Sequence, residues 1–113
     1  MIEAVVISYL QSKTSAGNNV FAEIPKNPPA KYIVIEKTGS NTQNRITTAT
    51  VAVKSYASSL LGAASLNEEV KAAMDESPVI DDIASCKLNS DYNFTDPTSK
   101  QYRYQAVFQI THY

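Results

Sequence analysis

From Tyr102 to Thr111 the side chains fall into two alternating rows. Tyr102, Tyr104, Ala106, Phe108 and Ile110 form one row, and Arg103, Gln105, Val107, Gln109 and Thr111 form the other. A period of two over such a length commits the segment to a strand that buries one face and wets the other. A lone strand leaves its backbone groups unpaired, so partners must exist, and a chain of 113 residues has room for one domain to supply them. Upstream, Cys86, Leu88, Ser90, Tyr92 and Phe94 alternate with Lys87, Asn89, Asp91 and Asn93. The turn residues Thr95-Asp96-Pro97-Thr98-Ser99 separate this run from the last one. Strands over 86–94 and 102–112 therefore predict an antiparallel hairpin.

A second hairpin is predicted nearer the N-terminus. Tyr32-Ile33-Val34-Ile35 is β-branched and aromatic, and from Arg45 to Tyr56 the residues Ala49, Val51 and Val53 share one face while Thr48, Thr50 and Lys54 share the other. Between strands 32–37 and 45–56, the residues Thr38-Gly39-Ser40-Asn41-Thr42-Gln43-Asn44 read as a polar loop projecting from the fold. Val20 to Ile24 reads as a further short strand, and Pro25, Pro28 and Pro29 turn the next stretch of chain into a stiff loop or sheet edge.

Two segments carry helical spacing. Ile2, Val5, Val6 and Tyr9 lie at i, i+3, i+4 and i+7, with Glu3 in the first turn, Lys13 in the last and Gly17 as a candidate C-cap. Leu60, Ala63, Leu66, Val70, Ala73 and Met74 mark a second helix, capped by Ser58 or Ser59 and ended by Pro78. Ser65-Leu66-Asn67-Glu68 matches a capping box, where this helix is expected to restart or bend. Val79 to Ala84 is ambiguous, with a short helical turn as one reading. The fold class is α+β over a single domain, 1–113. A mostly antiparallel sheet of four to five strands, polar on one face, carries two helices packed on the other, in the order α-β-β-β-α-β-β.

Chemistry is sparse. Gly17, Gly39 and Gly62 stand too far apart for a phosphate loop, and no metalloprotease, redox or nucleophile-elbow motif occurs. One cysteine excludes an internal disulfide, and Cys86 reads as a small hydrophobe on its strand. His112 has no placed acid or nucleophile. Asp81-Asp82, among the six acids of residues 68–82, could offer two oxygens to a divalent ion, but the solvated outer face of a helix and its following loop is the simpler explanation. Asn93-Phe94-Thr95 fits a glycosylation acceptor by chance, since Met1-Ile2-Glu3 opens no signal peptide, and the uncharged run from Ser55 to Asn67 is too short and polar to span a bilayer. No catalytic, cofactor or metal residue is predicted, and the expectation is an intracellular domain that is not an enzyme.

Seven tyrosines suit either a protein interface or base stacking. Stacking is disfavoured by a net charge of -1 and by the small basic escort of Lys100 and Arg103 beside Tyr102, Tyr104 and Tyr113. Charge is also divided along the chain. Residues 1–57 hold six basic and three acidic side chains, and residues 58–113 hold four and eight, so the halves carry +3 and -4. Two ordinary solvated faces are the simpler explanation of this division, and the alternative is that identical subunits meet head to tail.

Several segments together resemble a known family. They are Met1-Ile2-Glu3-Ala4-Val5, Phe21-Ala22-Glu23-Ile24-Pro25-Lys26, Tyr32-Ile33-Val34-Ile35-Glu36-Lys37-Thr38-Gly39 and Val53-Lys54-Ser55-Tyr56-Ala57 before an alanine-rich helix. At the C-terminal end Leu88-Asn89-Ser90-Asp91-Tyr92-Asn93-Phe94-Thr95-Asp96 and Tyr102-Arg103-Tyr104-Gln105-Ala106-Val107-Phe108 complete the pattern. Over nearly its whole length the chain resembles the small tail-completion or tail-terminator proteins of siphophages and of prophages in Gram-positive bacteria. The resemblance implies a subunit of a homo-oligomeric ring, commonly a hexamer, seated on the last ring of the tail tube. Such a ring stops tube polymerisation and offers a surface to the head–tail connector protein. It implies a place in the virion tail and in the host cytoplasm during assembly, no cofactor, no membrane and no nucleic acid beyond the DNA passing through the ring. Another phage neck or connector component, and a small nucleic-acid-binding module, are the alternatives. No residue set transfers position by position. The predicted interface comes from the projecting polar loop: Asn41, Gln43, Asn44 and Arg45 contact the tube or a neighbouring subunit, unless that loop is an ordinary hairpin tip. The Val20–Ile24 edge pairs across subunits or is blunted by its prolines.

Overall fold

The computed structural model describes residues 2–43, 45–79, 83–95, 98 and 101–112. Helix α1 (Ile2–Lys13) is followed by β1 (Val20–Phe21), β2 (Tyr32–Gln43), β3 (Ile46–Ala57), helix α2 (Leu60–Asp75), β4 (Ile83–Asn93) and β5 (Tyr102–His112), which is the predicted order. One five-stranded sheet runs β1-β2-β3-β5-β4. The pairs β2–β3, β3–β5 and β4–β5 are antiparallel. The exception is β1, which joins β2 in parallel through Val20↔Ile33 and Phe21↔Val34. It is shorter than the expected Val20–Ile24, because the approach to Pro25 and the prolines beyond it offer no continuous row of ladder donors.

Helix α1 forms on the predicted stripe, and Ile2, Val6, Tyr9 and Leu10 are all buried. Gly17 takes the left-handed backbone (φ 58°), but in a turn beyond the helix, where its N–H donates to Thr14 O at 3.2 Å, so it is not the C-cap. Ser59, not Ser58, caps α2: its backbone is extended and its Oγ accepts from Gly62 N at 3.0 Å. A Cβ at Gly62 would stand 3.0 Å from that Oγ and 3.1 Å from Ala57 Cβ, so the glycine leaves room for the cap. The expected restart at Ser65–Glu68 does not occur. Leu66, Val70, Ala73 and Met74 stay buried along one face of a continuous helix, and tertiary burial overrides the local capping preference. Of the ambiguous stretch Val79–Ala84, Val79 ends a 3-10 turn over Ser77–Val79 and Ile83 and Ala84 open β4, while Ile80, Asp81 and Asp82 lie outside the described residues.

Both helices pack on one face of the sheet. Leu10, Ile33, Ile35, Leu66, Met74, Phe108 and Ile110 are fully buried between the layers, each large side chain contributing about 1.5–3 kcal/mol by leaving water. Polar ties join the helices: Tyr9 OH donates to Ala73 O at 2.6 Å, and the Glu69 carboxylate accepts from Ser15 N (2.8 Å) and Ser15 Oγ (2.7 Å). The opposite face is not uniformly polar as expected. Tyr32, Val34 and Tyr56 form a second buried cluster there, with Phe21 packed against it.

Two strand features differ from expectation. The segment read as the loop Thr38–Asn44 is mostly strand: β2 and β3 pair as far as Gln43↔Ile46, so the connection shrinks to positions 44 and 45. Its threonines are good strand formers and find partners across the hairpin, as at Thr42 and Thr47, whose hydroxyls lie 2.9 Å apart. In β4 the register shifts between Leu88 and Ser90. One extra residue on a strand reverses which side chains face the core. Cys86 and Leu88 therefore share the helix side with Phe108, whereas Tyr92 sits on the far side beside Gln105, whose Nε2 donates to its hydroxyl at 2.7 Å. The single alternating row expected from Cys86 to Phe94 is broken in two.

Candidate interaction surfaces

The hairpin β2–β3 builds an arm. The first four residues of β2 are buried, and the eight from Glu36 to Gln43 are all exposed. At about 3.3 Å per residue this exposed length is about 25 Å, and it contributes to an elongated molecule of 44 × 25 × 25 Å. Lys37 ties its base to α1 through Glu3 at 4.0 Å, and Lys54 Nζ meets Glu36 at 2.7 Å. The outer edge of β2 carries β1 only at Ile33 and Val34, so the arm's edge beyond them is unpaired among the described residues.

Of the predicted interface residues, Asn41 and Gln43 lie on one face of the arm, opposite Thr48 and Ile46. Arg45 closes the hairpin with a left-handed backbone (φ 65°), a conformation that costs a long side chain more than Asn or Gly. Asn44 lies outside the described residues. The expected projection is present, but as a paired strand end and not a slack loop. Ile46, beside Arg45, is not among the predicted residues, yet it is 40% exposed at the tip.

A second surface lies between α2 and β4. A groove of about 360 Å³ has Met74, Cys86, Leu88 and Phe108 in its apolar part and Glu68, Lys71 and Asp75 at its rim. Lys71 Nζ bridges Glu68 (3.0 Å) and Asp91 (3.2 Å), and these two carboxylates hold its pKa above the usual lysine value. Burial pushes the Cys86 thiol up, with the charge of Asp75 acting in the same direction and a hydrogen bond from Ser77 opposing it. Cys86 is therefore a packed thiol, as the alternation predicts. Leu88 is 48% exposed. The register shift in β4 builds this groove by turning Leu88 and Asp91 to the same side, and no local sequence signal marks it.

The aromatic residues serve packing. Tyr32 and Tyr56 stack at 4.5 Å between centroids, nearly parallel. The Arg103 guanidinium lies 4.5 Å from the Phe94 ring centroid and 6.0 Å from that of Tyr56, and its Nε donates to Phe94 O at 2.6 Å. It is thus engaged within the fold. Tyr102 and Tyr104, also part of the base-stacking reading, are half-buried on β5, and Tyr113 and Lys100 lie outside the described residues. Asn93 Oδ1 accepts from Thr95 N at 2.9 Å, so the asparagine of the chance glycosylation match serves a local turn. Among the described residues no three His, Cys, Asp or Glu side chains gather to hold a metal ion, and Asp81 and Asp82 lie outside that set. No described helix is long and apolar enough to cross a membrane.

No family model matches the sequence, and no curated protein sequence matches it. Among solved structures, a chain in the virion of a native gene transfer agent (GTA) particle is similar in fold. The two superpose with a TM-score of 0.76 over 98% of this chain and 93% of the other, at 12% sequence identity. The likeness extends over the whole domain, both helices and the sheet included, and shows a shared fold.

Proposed function

We propose that the chain is a structural subunit of a phage-type virion, and within it a tail terminator. Copies of it form a ring, six in the simplest case, on the head-proximal end of the tail tube. The ring stops tube polymerisation and presents its free side to the head–tail connector protein. Assembly takes place in the host cytoplasm and the finished ring resides in the virion tail. The chain is not an enzyme in this reading: it uses no cofactor and meets nucleic acid only as DNA passing through the ring.

The observation that carries this reading is the end-to-end likeness to a chain of the gene transfer agent virion. The sequence resemblance narrows it to the terminator, and the arm and groove supply two different contact surfaces on one subunit, which a cyclic assembly needs. The virion likeness supports a neck or connector component too, so the test must separate tube from neck. Purified chain is added to the polymerising tail tube protein of the same particle, and tube lengths are measured by electron microscopy. A terminator shortens the length distribution in proportion to its concentration and leaves a ring at one end of each tube. Unchanged lengths at saturating chain, with binding to the connector instead, would transfer the assignment to the neck.

A further inference from the structure

Arg45 at the arm tip and Asp75 at the groove have no ion-pair partner among the described residues. Each also stands next to an exposed aliphatic side chain: Ile46, 40% exposed, follows Arg45, and Leu88, 48% exposed, lines the groove with Asp75. One surface is a narrow projection carrying a cation and an apolar side chain. The other is a recess with an apolar floor (Met74, Leu88, Phe108) and a rim on which Lys71 is paired with Glu68 and Asp91 while Asp75 has no ion-pair partner among the described residues. They are complementary in polarity and charge.

Within one molecule they cannot meet. The groove lies at the level of Phe108, which pairs with Val51, five positions along β3 from Ile46, or about 17 Å at strand spacing. It also sits under β4, separated from the β2–β3 hairpin by β5. Any protein partner for these surfaces therefore comes from another molecule, and the sequence divides the chain into a positive half holding the tip and a negative half holding the groove.

We propose that the arm tip of one copy docks into the α2–β4 groove of a second copy, with Ile46 on the apolar floor and Arg45 against Asp75. The contact is heterologous: each copy offers one tip and one groove, so copies join head to tail and close when the rotation per step allows. This inference rests on the ring reading above and identifies the surfaces that would build the ring. It leaves the rest of the arm available to the tube.

The native thiol of Cys86 lies in the groove, and it is the chain's single cysteine. An Ile46→Cys variant of the full chain therefore reports docking directly. Oxidation with glutathione disulfide at alkaline pH, where the raised thiol ionises, should give a ladder of covalent multimers, with the 46–86 disulfide found by mass spectrometry of the digest. Adding Cys86→Ser should abolish the ladder, because the docked tip thiol then has no partner. In parallel, Arg45→Asp and Asp75→Lys should each weaken self-association at least tenfold by light scattering, and the double variant should restore it. Both changes suit the fold, since Asp tolerates the left-handed backbone better than Arg and Lys favours a helix C-terminus. Absence of the 46–86 disulfide, or charge variants that associate like the parent, would overturn the docking even if rings form and cap tubes. A 46–86 disulfide in a protein that leaves tube lengths unchanged would keep the docking and remove the terminator reading.

Discussion

The phenol of Tyr9 sits in the interior and donates a 2.6 Å hydrogen bond to Ala73 O in the last turns of α2. Burial, with Glu76 nearby, raises its pKa above the usual tyrosine value, so the hydroxyl stays protonated and the bond persists at neutral pH. Tyr9→Phe keeps the ring and deletes the bond. It should cost about 1 kcal/mol and lower the melting temperature by about 4 °C, as read by circular dichroism. Ser55 poses the opposite case: its Oγ is buried and has no hydrogen-bond partner among the described residues. Ser55→Ala should raise stability by up to about 1 kcal/mol in urea titrations, because it removes an unsatisfied polar atom at small cost in volume. Residue-scale features of this kind split in legibility. The buried row Ala106, Phe108, Ile110 arises from a local pattern and was predictable, and the cap of α2 was predictable to within Ser58 or Ser59. The Arg103 site over Phe94 joins residues on two strands and depends on where β4 stops, which no local pattern specifies.

Elements were legible where burial keeps one period throughout. Helix α1, helix α2 and β5 satisfy that condition; β3, buried on both faces from Val51 to Val53 and at Ser55 and Tyr56, was legible instead from its β-branched residues, and the bounds of all four lie close to those expected. The arm did not, because its exposed half has no apolar row to reveal a strand. Threonine, serine and asparagine there read as a loop, and only pairing with β3 reveals the strand. The β4 register shift was hidden for another reason: the alternation from Cys86 to Phe94 looks continuous in sequence while the backbone inserts an extra residue. The cap of α2 belongs to this scale. Ser59→Ala removes the acceptor for Gly62 N and should destabilise the domain by about 1 kcal/mol in thermal melts, whereas Ser58→Ala should leave the melt unchanged within about 0.5 kcal/mol.

At the scale of the molecule, the charge division and the existence of a projection were both legible, though not its strand structure, and they are the features on which the proposed assembly depends. The groove was not, since it exists only after α2 packs across a shifted β4. An assembly held partly by Arg45 and Asp75 at an exposed rim is sensitive to screening. Raising sodium chloride from 50 to 500 mM should weaken self-association several-fold in light scattering, while the apolar contribution of Ile46 preserves a residual contact. Salt-independent association would point to an interface without a charged rim.

The strand order β1-β2-β3-β5-β4 also governs time. Two hairpins, β2–β3 and β4–β5, form from neighbouring segments, but the sheet closes only when β5 lies beside β3 and brings His112 next to Thr47. That pairing encloses α2 and nearly all the intervening chain, so it carries a larger loop-closure cost than either hairpin and is expected to form after them. Until β5 is in place β3 has an open edge, and the groove lacks the Phe108 part of its floor. A partly folded subunit therefore has no complete acceptor for a neighbour, and association by the proposed docking waits on the finished sheet.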